Sequence, residues 1–147
     1  MMRAMGRRVF WGLLLLAFAL RFAALLPASL HHPDEILQYL EPAHRLVFGH
    51  GIETWEYRYG MRGWLLPALF AGPMALGEWL APGTGLYLFL PRLLAMLVTL
   101  LIPVGGFLLG RLVSPRHALL AMAVAVVWAE TVFFSSHVLS EILGVAL

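Results

Sequence analysis

The run from Val9 to Leu26 carries a single charge, Arg21, and no other stretch restricts the fold as much. At about 1.5 Å per residue, a helix of that length crosses most of a ~30 Å hydrocarbon core. Lipid offers no hydrogen bonds to a backbone, so such a run folds as a helix. Apolar runs at 64–80, 86–109 and 118–134 follow it, joined by short links. The expected fold is therefore all-α, a polytopic transmembrane helical bundle. Composition agrees: the chain is 61% hydrophobic and 12% charged, whereas soluble domains are about 45–50% apolar and about 25% charged. A net charge of only +2 gives no basic footprint for nucleic acid. With no cysteine, disulfides, thiolate catalysis and Cys-ligated metals are excluded.

Arg3, Arg7 and Arg8 precede the first run and assign the N-terminus to the cytoplasm by the positive-inside rule. A cleaved signal peptide is the rival reading. Arg21 and the further apolar runs favour a retained span. Arg21 is expected to snorkel to the outer interface, with a phosphate contact as the alternative. Simple alternation of four crossings would leave Arg111 and Arg116 outside, against the same charge rule. Either the short 64–80 run does not cross or the rule is locally broken. The chain ends in an apolar stretch, and the expectation is the N-terminal part of a longer protein. All ten basic residues are Arg. That fits a GC-rich genome, and the expected location is a bacterial inner membrane with a periplasmic site rather than the ER.

Between the first two runs lies an external loop, 31–62. It holds five of the eight acids (Asp34, Glu35, Glu41, Glu53, Glu56) and four of the six histidines (His31, His32, His44, His50). Within it Ile36, Leu37, Leu40, Ala43 and Val47 recur at helical spacing. Pro42 should divide this stretch into two short interfacial helices, and Gly49 and Gly51 should stop the second. Trp55, Tyr57, Tyr59 and Trp64 suit an aromatic belt at the headgroups. A sugar-stacking platform is the alternative.

Asp34 and Glu35 directly follow a membrane exit, where carboxylates are costly and so point to function. A plain helix start explains the same residues, since Pro33 suits the first helical position and acids suit the first turn. As chemistry, three arrangements compete. A divalent metal could use His31, His32, Asp34 and His44, although adjacent imidazoles do not both point inward from one helix. Asp34 or Glu35 could act as a general base, its pKa lifted by nearby lipid. The acids and histidines could also serve only as caps and anchors. No nucleophile elbow surrounds Ser135, Ser136 or Ser140, and no glycine pattern makes a phosphate loop. Any activated donor is thus expected to be lipid-borne.

Taken in order, the loop carries His32-Pro33-Asp34-Glu35, then Tyr39-Leu40-Glu41-Pro42-Ala43-His44-Arg45-Leu46, then Gly49-His50-Gly51-Ile52-Glu53-Thr54-Trp55-Glu56-Tyr57, then Met61-Arg62-Gly63-Trp64. This series resembles the first non-cytoplasmic loop of the Alg9-like and GPI mannosyltransferases, glycosyltransferase family 22. Phe134 to Glu141 resembles a later family segment more weakly, with His137 where Arg is usual and Glu141 where Asn is usual. Gly63 stands where Ser is common.

The resemblance implies a GT-C-like bundle and an inverting hexosyltransferase. The implied partners are a polyprenyl-phosphate sugar donor, a glycolipid or glycan acceptor, and membrane lipid. It implies Asp34 as the catalytic carboxylate with Glu35 beside it. Arg62 and Arg45 would steady the leaving phosphate. Glu41, His44, Trp55 and Glu56 would shape the sugar or acceptor pocket. The rival from another class is a transporter or ion-coupled membrane protein whose loop acids gate ions. Such proteins keep their acids near mid-membrane between broken helices, whereas these cluster in an external loop.

Overall fold

The computed structural model describes residues 2–27 and 32–147, and every regular element among them is helical. In order these are α1 (Met2–Leu25), a π-helical segment (Glu35–Leu40) running directly into α2 (Glu41–Phe48), α3 (Trp55–Arg58), α4 (Leu65–Leu80), α5 (Leu86–Thr99), α6 (Leu101–Arg111), α7 (Pro115–Val127), α8 (Ala129–Phe133), a 3₁₀ turn (Phe134–Ser136) and α9 (Ser140–Ala146). The chain forms two compact units: Met1–Pro27 with Met96–Ser136 and Glu141–Leu147, and Ala28–Ala95 with His137–Ser140.

The first unit is built on α1, α6 and α7. Ala17, Met122 and Val126 are fully buried at its centre, flanked by Phe10, Leu13, Leu14, Leu20, Leu100 and Phe107. Without a strong hydrophobic drive between helices in lipid, close backbone approach over small residues does much of the packing. Gly110 shows this: a Cβ there would fall 2.6 Å from the His117 carbonyl oxygen. The α6–α7 turn ends at Ser114, whose Oγ accepts the His117 N–H at 3.3 Å, with Pro115 opening α7.

Phe10 lies edge-on to Phe107 at 4.8 Å, and Arg111 sits 5.7 Å over the Phe107 ring. Arg7, Arg8, Arg111 and Arg116 thus belong to the same end of this unit. Leu86–Arg111 forms one apolar span of 26 residues, about 39 Å long. α4, with 16 residues and about 24 Å, is short for a ~30 Å core.

The run expected at 118–134 is a broken element. α7 and the following Ala129–Ser136 stretch meet at a 58° bend, where Trp128 is extended. The bend strips the last α7 carbonyls of helical partners. Arg21 supplies them, reaching the Val126 oxygen at 3.4 Å and the Ala125 oxygen at 3.3 Å, with Thr131 Oγ1 at 3.4 Å. The snorkelling expectation for Arg21 is thus corrected. Its side chain is fully buried, because a cation at a helix C-terminus satisfies exposed carbonyls and the helix dipole together.

In the second unit α2 packs on α4, and Gly77 lets α4 approach the start of α5: a Cβ there would lie 2.6 Å from the Leu86 oxygen. Pro42 does not split the loop helix into separate pieces. It has no N–H to give the Gln38 carbonyl four residues earlier. Instead, the helix widens into the π-type segment, and Tyr57 Oη donates to that carbonyl at 2.5 Å.

Gly110→Ala is expected to lower stability by about 1–3 kcal/mol, because the new methyl meets backbone with nowhere to move. Gly105→Ala, which meets nothing within 4 Å, should be neutral or slightly stabilising. Thermal unfolding midpoints in detergent check the pair.

Candidate functional site

Two adjacent carboxylates end in opposite surroundings. The helix that opens at Pro33 turns successive side chains by about a quarter turn. Asp34 points outward with its side chain 52% exposed, and Gln38 Nε2 donates to its Oδ1 at 2.8 Å. His32 Nδ1 lies 3.8 Å from its Oδ2. Glu35 points inward and is fully buried. Its Oε2 lies 2.7 Å from His137 Nδ1, and its Oε1 accepts the Val138 N–H at 3.0 Å. A buried carboxylate is tolerated only when its oxygens are bonded and its charge is balanced. The buried Arg92 contributes to that balance through its electrostatic interaction with Glu35. An ionised carboxylate only accepts, so in that state His137 Nδ1 is the donor of the pair. Glu35 was expected beside Asp34 in the chemistry. Its two oxygens are instead committed to the 137–138 segment.

A cavity of about 560 Å³ opens in the same unit, lined among others by Tyr39, Trp55, Glu56, Tyr57, Arg62 and Ser140. Arg62 Nε pairs with Glu56 Oε2 at 3.2 Å on its wall. Burial tends to lower the Arg62 guanidinium, but the ion pair and hydrogen bond with Glu56 outweigh it. The group is held above its ordinary value, with Tyr39 and Tyr57 adding to the effect. It therefore stays cationic, held in place by Glu56. Burial likewise pushes the Tyr57 hydroxyl above its ordinary value, against the pull of Arg62, so the hydroxyl keeps its proton for the Gln38 carbonyl. Tyr57 also packs on Trp64, with ring centroids 4.7 Å apart. Tyr39 Oη donates to Ser140 Oγ at 2.7 Å.

The expected substrate residues divide by location. Arg62, Trp55 and Glu56 line the cavity. Glu41, His44 and Arg45 instead hold the glycine turn after α2. Glu41 Oε1 accepts the Ile52 N–H at 2.6 Å, Arg45 donates to the Gly51 oxygen at 3.0 Å, and His44 Nδ1 lies 3.1 Å from the His50 oxygen. The turn needs them because Gly49 and Gly51, at positive φ of 75° and 130°, end the helix, and the backbone groups of His50, Gly51 and Ile52 beyond it turn to side chains. Of the four metal candidates, His31 lies outside the described residues. Among the described residues no three His, Cys, Asp or Glu groups converge to hold an ion.

Sequence reasoning gave no role to Tyr39 and passed over His137 and Ser140 as functional groups. The signals for the last two were the weaker family likeness of Phe134 to Glu141 and a polar Ser-Ser-His…Ser cluster inside an apolar stretch.

The sequence profile of the Alg9-like mannosyltransferase family matches residues 11–147. The GPI α-1,2-mannosyltransferase 3 of Danio rerio is 45% identical over 67 residues, 45% of this chain and 12% of that protein. The GPI mannosyltransferase 3 of Trypanosoma brucei brucei is 40% identical over 102 residues, 68% of this chain and 18% of that protein. The α-1,2-mannosyltransferase alg9 of Schizosaccharomyces pombe is 46% identical over 55 residues, 36% of this chain and 9% of that protein. The chain thus spans less than a fifth of the length of these curated relatives. No solved structure matches it significantly.

Tyr57→Phe removes the donor to the Gln38 carbonyl and should cost about 1–3 kcal/mol. The loss should appear as faster hydrogen exchange in the 35–48 helix than in α7.

Proposed function

Because this chain belongs to the Alg9-like mannosyltransferase family, we propose that it carries the catalytic loop of a membrane mannosyltransferase. The donor proposed is a polyprenyl-phosphate mannose and the acceptor a hydroxyl on a glycolipid or other glycan. The observation that carries this reading is the contrast at 34–35. A solvent-accessible Asp34 stands next to a carboxylate withdrawn into the protein, in a unit that also holds a cavity with an arginine–glutamate pair on its wall.

Asp34 accepts the acceptor's hydroxyl proton as that oxygen forms its bond to the mannose anomeric carbon. The bond from that carbon to the lipid phosphate breaks, and the phosphate leaves with the electron pair from the opposite face. Configuration inverts. The leaving group is already anionic, so it needs a cation more than an acid, and Arg62 supplies it. Trp55 and Tyr57 offer apolar ring surface for the sugar. Arg45 is engaged with the glycine turn and is secondary in this scheme. Because the donor set for a divalent metal does not assemble among the described residues, no step is routed through one.

A GT-C-like bundle with its site on the non-cytoplasmic side suits the charge pattern of the first unit. The relatives named above come from a fish, a trypanosome and a fission yeast. They do not favour the bacterial inner membrane, and the proposal is limited to a non-cytoplasmic face.

Asp34→Asn is expected to cut mannose transfer by about 10²–10⁴-fold. The assay uses membranes from cells expressing the gene, supplied with polyprenyl-phosphate mannose, at unchanged protein level. Undiminished turnover would remove Asp34 as the base. Arg62→Gln should raise the KM for the donor and lower kcat together, since phosphate charge grows toward the transition state.

A further inference from the structure

We propose that Glu35 is a positioning residue: through His137 and Val138 it fixes the 137–140 segment so that Ser140 forms part of the cavity wall. This rests on the reading of that cavity as the sugar-transfer site.

The geometry carries the argument in three steps. Glu35 cannot reach an acceptor hydroxyl as it stands, because the residue is fully buried and both oxygens already accept hydrogen bonds. What it grips is informative. One oxygen reads a backbone N–H, at Val138, and the other reads the neighbouring imidazole of His137. Bonds to both the main chain and the side chain of consecutive residues fix a segment's position and its rotation. Four residues along the same helix, Tyr39 makes the second tie, donating to Ser140 Oγ at 2.7 Å. Residues four apart share a helix face, so one face of the 35–40 segment holds the short 137–140 stretch at two points. Ser140 and Tyr39 are both lining residues of the cavity. The buried carboxylate and the cavity wall are thereby linked through a contact that spans more than a hundred residues of sequence.

An ionised Glu35 strengthens this link, because hydrogen bonds to a charged group are stronger than those between neutral groups. Arg92 lies within electrostatic reach to balance that charge. Glutamine can reproduce the geometry without the charge. Its amide oxygen accepts from Val138, and its amide nitrogen donates to His137 Nδ1 in the other tautomer. Alanine reproduces neither.

The test compares Glu35→Ala, Glu35→Gln and Ser140→Ala in membranes from cells expressing the gene, with polyprenyl-phosphate mannose as donor. Glu35→Ala should raise KM at least tenfold with a smaller fall in kcat. Glu35→Gln should restore most of that loss. Ser140→Ala leaves the carboxylate pair intact and should raise KM by severalfold at unchanged kcat. It carries the test if Glu35→Ala does not accumulate. The proposal is overturned if Glu35→Gln loses kcat as severely as Asp34→Asn, which would put Glu35 in the chemistry. It is also overturned if Glu35→Ala and Ser140→Ala leave KM unchanged. Failure of the sugar-transfer reading looks different: Asp34→Asn then leaves turnover intact, whatever Glu35 does.

Discussion

A buried carboxylate must find its partners inside the protein, and that requirement organises the second unit. Glu35 is placed inward by the turn of the helix that begins at Pro33, and it is closed off from bulk solvent. The groups that satisfy it come from the far end of the sequence, His137 and the Val138 N–H, with Arg92 balancing its charge. The same turn leaves Asp34 outside, within reach of Gln38 and His32. Two acids with the same side-chain chemistry thus acquire different capacities. One is accessible to something that arrives, and the other is held in a fixed network.

The loop shows a related economy. Its polar residues are numerous for so apolar a chain, yet many are spent on the loop's own backbone. Glu41, His44 and Arg45 secure the glycine turn, and Tyr57 replaces the N–H that Pro42 lacks. What remains on the cavity wall is a smaller set, with the Arg62–Glu56 pair as its charged part and Trp55 and Tyr57 as its ring surface. A family-like motif string therefore mixes residues that secure the loop's backbone with residues that line the cavity, and only the folded chain tells them apart.

In the first unit the constraint is backbone satisfaction in an apolar medium. Helices meet it along most of their length. Where α7 breaks at Trp128, Arg21 meets it with a guanidinium, and the break becomes tolerable. That a single arginine inside an apolar run is a cap and not a snorkelling side chain follows from where the other helix ends. The sequence of α1 holds no trace of it.

The sequence by itself determined that the chain is helical and membrane-embedded, since lipid leaves the backbone no other choice over such apolar runs. It also determined the family, because several motifs agree in order. It singled out the polar loop and named Arg62, Trp55 and Glu56, which line a cavity. Only the tertiary structure decided that Arg21 caps the broken end of α7, because that depends on where another helix stops. Only it decided that Glu35 is bound to His137 while Asp34 stays accessible. Periodicity fixes which way a side chain points from its own helix, but its partner a hundred residues away is chosen by packing.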